Sequence, residues 1–348
     1  MVGGAAVRGA RRRSARPEAG GGTKRDRRGR PPWRRGRVLA VLAVLTAGLM
    51  AFPGAVPNSV GRLGSLLETF LPWLGLVTVV LFLLALRRRP VIALVALPLP
   101  AVAWTLLFAG LLGSDPGRAD LVVTQHNVSD ENADPAGTAR ALARAEPDLI
   151  ALEELVSPAL PVYARTLAAT HPHHAVRGTV GLWSRHPLSD VRTVDIKPRG
   201  ITEGWSRGLR AVARTPHGDV AVYVAHLPSV RVGASGLASS WRDESAELLG
   251  RAIAAEGRST VLLLGDLNGT VDDRGLAPLT SRLNTPERGF AFSFPASFPV
   301  ARIDQVMARA ATVGHIRTLP ATGSDHLPVS AGITLDREPA EAGSARRP

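Results

Sequence analysis

The chain has 348 residues, no cysteine and a formal net charge of +13. The missing cysteine excludes disulfides, thiolate zinc sites and a cysteine nucleophile together. The charge invites a nucleic-acid reading, but its location argues otherwise: residues 1–37 hold thirteen Lys and Arg against Glu18 and Asp26, Arg87–Arg89 add three, and Arg62 cancels Glu68, so everything from Pro90 onward sums to −1.

Residues 1–37 are rich in Gly and Arg with few apolar residues, a composition that predicts disorder. Three apolar runs follow, at about 38–56, 66–86 and 91–113. Each is near the roughly 20 residues that cross a hydrocarbon core as helix, so residues 38–113 are expected to form three transmembrane helices. Glu68 is the one charged residue within them. Buried helices of a globular domain are the competing reading, but three such runs in succession offer water no polar face. Arginines precede the first run and separate the second from the third. The positive-inside rule then puts the N-terminus in the cytoplasm and the C-terminal part outside, at the cell membrane. A cleaved signal peptide competes for the first run, although a charged lead of 37 residues is long for one.

From residue 121 the pattern changes to short β-branched runs separated by helical stretches. Leu121–Gln125, Leu149–Leu152, Thr179–Ser184, Leu209–Arg214, Val220–Ala225 and Val261–Leu264 read as strands. Residues 135–145 and 241–255 read as helices, the second with Ala246, Leu249 and Ile253 on one face. Mixed strands and helices imply a layered α/β architecture. The Ala/Gly/Arg/Pro segment 336–348 reads as a frayed tail.

Polar residues stand at the ends of these strands, where open α/β sheets assemble sites. Asn127 follows the first strand, Glu154 the second, His226 the run Val220–Ala225, and Asp266 with Asn268 the run Val261–Leu264. Asp304 and the pair Asp325-His326 follow further on. One Asp after an apolar strand is most simply a turn former. Six convergent positions are harder to explain that way.

Taken in order, Asn127, Ala-Leu-Glu-Glu at 151–154, Ala-His-Leu at 225–227, Gly-Asp-Leu-Asn at 265–268, Arg-Ile-Asp at 302–304 and Ser-Asp-His at 324–326 resemble the endonuclease/exonuclease/phosphatase superfamily. The resemblance covers essentially all of a domain at 118–335. It implies a four-layer sandwich, two mixed β-sheets packed face to face and flanked by helices, behind the transmembrane segments. It also implies a metal-dependent hydrolase of phosphoester or phosphoanhydride bonds. Hard carboxylate and amide oxygens suit Mg²⁺ or Mn²⁺. Glu154 is the first candidate metal ligand, with Asn127 and Asp325 completing the shell. Asp266 is placed to orient and deprotonate water, and Asn268 to donate to a phosphoryl oxygen. His226 and His326 are expected to bind the phosphoryl group or protonate what leaves. By the resemblance, Asp304 holds His326.

Other residues keep two readings. Glu203 or Glu153 could orient His226, or serve a plain surface role; Arg207 and Arg210 contact phosphate or are solvated side chains. His171, His173 and His174 have metal-like spacing but read as a loop cluster without a matching carboxylate. The sequons at Asn127 and Asn268 read as coincidence at buried strand ends.

A nuclease is expected to present a basic groove, yet the segment beyond Gly113 has a single lysine, Lys197. Three N-terminal spans before an outward phosphoesterase domain look like the VanJ-type glycopeptide-resistance proteins of actinobacteria. That resemblance implies a membrane lipid phosphate as substrate, of the polyprenyl (undecaprenyl) pyrophosphate type. The alternatives are an extracytoplasmic nuclease, a phospholipid phosphodiesterase, and a non-catalytic membrane protein that kept the fold.

Overall fold

A computed structural model of the protein describes residues 36–88, 91–113, 117–202, 204–233 and 236–336. The basic segment before Gly36, Glu203 and the tail after Asp336 lie outside the described residues.

The N-terminal part consists of helices α1 (Arg37–Ala51), α2 (Leu63–Thr69), α3 (Leu74–Arg88), α4 (Val91–Ala96) and α5 (Pro98–Phe108). Two continuous helical stretches are long and apolar enough to cross a membrane, Leu71–Arg88 and Val91–Leu112. Among the described residues two of the three expected helices reach that length. Helix α1 has 15 residues, about 22 Å at 1.5 Å per residue, which is short of a hydrocarbon core. The helix formed by the second apolar run also starts at Leu71 rather than at residue 66. Glu68 turns away to meet Arg274 of the following domain, and Pro72 fits the first turn of a new helix, where its missing N–H costs nothing. The helices pack through small residues, with Ala43, Ala85 and Ala93 set among Leu39, Leu81 and Leu97, so that backbones approach closely.

The rest of the chain forms β1 (Leu121–Asn127), α6 (Pro135–Ala143), β2 (Leu149–Glu153), α7 (Leu160–Leu167), β3 (His173–Arg177), β4 (Val180–Ser184), β5 (Leu188–Thr193), β6 (Gly208–Thr215) and β7 (Gly218–Ala225). There follow β8 (Arg231–Gly233), β9 (Gly236–Ala238), α8 (Ser240–Ala254), β10 (Val261–Asp266), α9 (Ala277–Thr280), β11 (Asp304–Arg309), β12 (Ala311–Thr318) and β13 (Val329–Leu335). One sheet has the order β12-β13-β1-β2-β4-β3, the other β11-β10-β7-β6-β5. Both are mixed, with a parallel pair at the centre: β1 beside β2, and β7 beside β10.

The twofold period of a strand explains the layering. Val220, Val222 and Val224 of β7, with Leu262 and Leu264 of β10, face Val123, Leu149 and Ala151 of the other sheet. The intervening Ala221, Tyr223 and Leu263 face Ala246, Leu249 and Ile253 of α8. On the opposite side Ile150 and Leu152 meet Leu142 of α6 and Tyr163 of α7. Strands covered on both faces need apolar residues at consecutive positions, which is why β7 and β10 read as unbroken hydrophobic runs. The expected two packed mixed sheets flanked by helices are present. Elements without that pattern, such as the half-exposed β3 and β5, gave no sequence signal.

Gly265, near the end of β10, has φ +154°, and a Cβ there would collide with the carbonyl oxygen of Ala225. The Gly-Asp junction thus lets β10 and β7 converge where their terminal residues meet. Gly265→Ala is expected to cost at least ~2 kcal/mol of stability, read as a lowered Tm of the detergent-solubilised protein; an unchanged Tm would show that the junction can yield.

Candidate active site

The parallel pairs end on the same side of the sandwich, and alternation decides which side chains point between the sheets there. Continuing inward from Val123 gives Gln125 and Asn127; from Leu149 and Ala151 it gives Glu153; from Leu262 and Leu264 it gives Asp266. Asp304 opens β11 directly opposite Asp266 in the antiparallel register. All five are buried, none more than 2 % exposed.

Asp304 organises this polar end. Its Oδ2 accepts from Ser293 Oγ at 2.5 Å and from His326 Nδ1 at 2.8 Å, and its Oδ1 accepts from Gln125 Nε2 at 3.1 Å. Gln125 Nε2 also donates to Glu153 Oε2 at 2.7 Å. His326 then presents Nε2 to Asp266 Oδ2 at 3.8 Å and packs against the Phe294 ring at 4.9 Å. Burial works against an imidazolium, but Asp304 and Asp266 outweigh it and hold the His326 pKa at about 10. Burial pushes the Asp266 carboxyl up to about 7 despite His326 beside it. Asp304 lies below the usual carboxylate range because His326 and its other donors outweigh its burial. Glu153 is held well above that range by burial and by Asp304 and Asp266, so it is a neutral acid.

The turn after β10 explains the Asp-x-Asn spacing. Asp266 Oδ1 accepts from the Asn268 backbone N–H at 3.0 Å, closing an Asx turn. Asn268 Nδ2 donates to the Leu227 carbonyl at 2.9 Å and lies 3.3 Å from Asp266 Oδ2. Asn268 and Glu154 both hold left-handed backbones, φ 47° and 58°. For Glu such a conformation costs of order 1 kcal/mol or more, and here it aims the carboxylate over the strand ends. Asn127 Nδ2 bridges the two carboxylates, 3.1 Å from Glu154 Oε1 and 3.1 Å from Asp266 Oδ2. His226 Nε2 lies 3.6 Å from Asp266 and 3.9 Å from Glu154. Burial first, then Arg207, lowers its pKa to about 3, so its ring is neutral.

All eight residues expected at the site therefore gather at one end of the sandwich. Six of them, Asn127, Glu154, Asp266, Asn268, Asp325 and His326, line a cleft of about 330 Å³. Asp325 is exposed at the rim. His226 and Asp304 stand behind them. Asp266, Asp304 and His326 offer possible ligand atoms within 4.8 Å of one another, a candidate metal cluster. Its members Asp304 and His326 already satisfy each other, and an imidazolium has no lone pair to offer. Asn127, Glu154 and Asp325 line the open cleft, and their hard oxygen donors suit Mg²⁺ or Mn²⁺ better, with Asn127 Oδ1 at present accepting from the Ser129 N–H at 3.1 Å. Four carboxylates line that cleft, and with Asp273 paired to Arg242 the other three, against one imidazolium, leave negative charge for a cation to balance.

The open readings resolve by contact. Arg210 is buried in ion pairs with Glu256, at 2.9 Å, and Asp190, so it is structural. Arg207 lies 3.3 Å from His226 Nδ1, with its guanidinium 5.5 Å from the Trp205 ring centroid. Glu153 bonds Gln125 rather than His226. His171 is buried against the Pro147 carbonyl at 2.9 Å, while His174 stacks on Trp183; no metal is served there. Gln125, Ser293 and Ser324 were not anticipated. Ser324 Oγ donates to the Asn127 carbonyl at 2.7 Å and accepts from the His326 N–H at 3.1 Å. The signal available for Gln125 and Glu153 was parity: both fall on inward positions of buried strands.

The model of the endonuclease/exonuclease/phosphatase family matches residues 124–326, more than half of the chain. The chain belongs to that family. It is accordingly a hydrolase acting on phosphoester bonds, in a family that is generally dependent on a divalent metal and acts on lipid or nucleic-acid substrates. Among solved structures, an endonuclease/exonuclease/phosphatase protein from Beutenbergia cavernae is similar at 21 % identity and TM-score 0.51, covering 63 % of this chain and 72 % of that one. The D. rerio TDP2 protein, humanised by 14 mutations, is 18 % identical with TM-score 0.50, over 62 % and 98 % of the two chains. Beta toxin of Staphylococcus aureus, in a structure with bound magnesium ions, is 13 % identical with TM-score 0.49, over 61 % and 99 %. No curated protein matches at a significant level.

The two titrating groups set a pH expectation. Asp266 must lose its proton to act as a base, so the rate should fall as pH drops below about 7. His326 has a folded pKa raised from 6.5 to about 10. Its stabilising contribution is therefore complete below 6.5 and is lost as pH rises through about 10. In Asp304→Asn the alkaline limb of the rate profile, and the alkaline decline of Tm, should move down toward 6.5. Unmoved limbs would remove Asp304 from that role.

Proposed function

We propose that this chain is a membrane-anchored phosphatase that hydrolyses polyprenyl pyrophosphate-type lipids at the outer face of the membrane. The observation that carries the reading is the position of the cleft beside one end of the apolar helices. Arg37 starts α1, and Arg87 and Arg88 end α3, while Pro53, Trp73 and Gly289 mark where the opposite ends meet the hydrolase domain. With arginines held in the cytoplasm, that domain faces outward. The helices also expose large apolar side chains all round, Leu106 81 %, Val95 72 % and Leu83 58 % among them, a surface suited to lipid rather than water. On this reading the short α1 completes a third crossing, helped by its flanking segments. The negative balance beyond Pro90 supports a lipid over a nucleic acid.

In the proposed mechanism, Glu154, Asn127 and Asp325 would hold Mg²⁺ or Mn²⁺, which would supply Lewis-acid polarisation of a phosphoryl oxygen and charge neutralisation of the leaving group. Asp266, ionised, orients water and takes its proton. Asn268 turns its amide toward a non-bridging oxygen. His326, kept as imidazolium by Asp304, donates to the phosphoryl group from one side, and neutral His226 contacts it from the other. Arg207 next to His226 adds positive charge behind the lining residues.

Purified protein with Mg²⁺ and undecaprenyl pyrophosphate should release phosphate, and Asp266→Ala should lose at least ~10²-fold in rate. Sphingomyelin and plasmid DNA serve as rivals; cleavage of either without turnover of the pyrophosphate would refute the substrate assignment. Topology has its own check. A C-terminal alkaline phosphatase fusion should be active, and activity only from a reporter that works in the cytoplasm would reverse the orientation.

A further inference from the structure

The cleft that holds the candidate site is not built by the hydrolase domain alone. Leu66, Thr69 and Phe70, from the segment joining α1 to α3, form one of its walls. Phe294, Val300 and Ile303 line it as well, together with the carboxylates and amides already described. The cleft therefore combines the polar site residues with apolar side chains from both parts of the chain.

The segment is held there by buried polar contacts. Glu68, 5 % exposed, accepts from the Arg274 side chain at 2.7 and 2.9 Å and from its backbone N–H at 2.9 Å. Arg62 donates to Asp243 at 2.6 Å, and the Gly61 carbonyl accepts from the Leu237 N–H at 3.0 Å. Trp73 donates to the Val300 carbonyl at 2.8 Å, and its ring stacks on Phe292 at 5.5 Å. A carboxylate within a hydrophobic run costs desolvation that only such pairing offsets. Its presence ties α2 to the rim of the site rather than to the bilayer. Phe70 nevertheless stays 39 % exposed at the cleft, an apolar side chain with a free face beside the carboxylates.

We infer that α2 and Phe70 form a substrate-specificity wall that receives the hydrocarbon next to the scissile phosphate of an amphiphilic phosphate ester. This deepens the proposed function and rests on it. A soluble phosphoester occupies the polar site alone; a lipid phosphate entering along the helices buries its first carbons against Leu66, Phe70 and Val300.

Isopentenyl, farnesyl and undecaprenyl pyrophosphate present one head group on lengthening hydrocarbon and serve as probes for the full chain in detergent micelles. kcat/KM should rise at least about 10-fold from isopentenyl to farnesyl pyrophosphate. In the double variant Leu66→Asn, Phe70→Ser that ratio should collapse to near unity. Should the double variant fold poorly, Thr69→Trp, which narrows the cleft, should lower the same ratio. A wild-type ratio near unity, or a ratio unmoved in the variants, overturns the inference. If none of the pyrophosphates is hydrolysed while bis-p-nitrophenyl phosphate is, the proposed substrate class itself falls.

Discussion

Burying carboxylates is costly unless each finds a proton, a donor or a cation, and this molecule places Glu153, Asp266 and Asp304 together where two apolar sheets meet. The hydrogen bond from His326 to Asp304 makes that arrangement tenable. It supplies a fixed positive charge at the centre, against which Asp304 stays ionised. Glu153 is relieved differently: burial favours its protonated form, and its Oε2 accepts from Gln125. Asp266 sits between these solutions, pressed upward by burial and downward by the imidazolium. A group so balanced can change protonation near neutral pH, as a base in hydrolysis requires.

The same end of the sandwich shows how a fold that maximises apolar burial acquires polar contents. The core ends where the strands end, and the inward parity that delivers Leu, Val and Ala further back delivers Asn, Gln, Glu and Asp at the last positions. Glu154 and Asn268 step out of the extended conformation immediately afterwards. Their left-handed backbones turn side chains back across the strand ends that ordinary geometry would point away.

Much of this was legible in the amino-acid order. Fully covered strands such as β7 and β10 announce themselves as continuous apolar runs, and the polar residues that end them announced the site. Edge strands such as β5, whose residues are mostly half-exposed, carry no such pattern. Arg210 could not be distinguished from a phosphate ligand by sequence, because Glu256 and Asp190 reach it only through pairing of strands and the end of α8. The second apolar run misled for a related reason. Hydropathy treats Glu68 as a blemish in a span, whereas its pairing with Arg274, more than two hundred positions away, removes α2 from the span altogether. Parity within buried strands was the unused signal for Gln125 and Glu153.

The helices and the hydrolase domain meet through aromatic rings, Trp73 on Phe292 and Phe290 against both Trp104 and Phe108, as well as through the Glu68 pair. Among the described residues such a junction braces the domain against the helices through both aromatic and ionic contacts. On the proposed membrane-anchored reading, an enzyme fixed in this way finds a lipid substrate by lateral diffusion, as a two-dimensional search. Its velocity then follows the mole fraction of substrate in the surface, so diluting that surface with inert lipid slows it even when the total amount of substrate is constant.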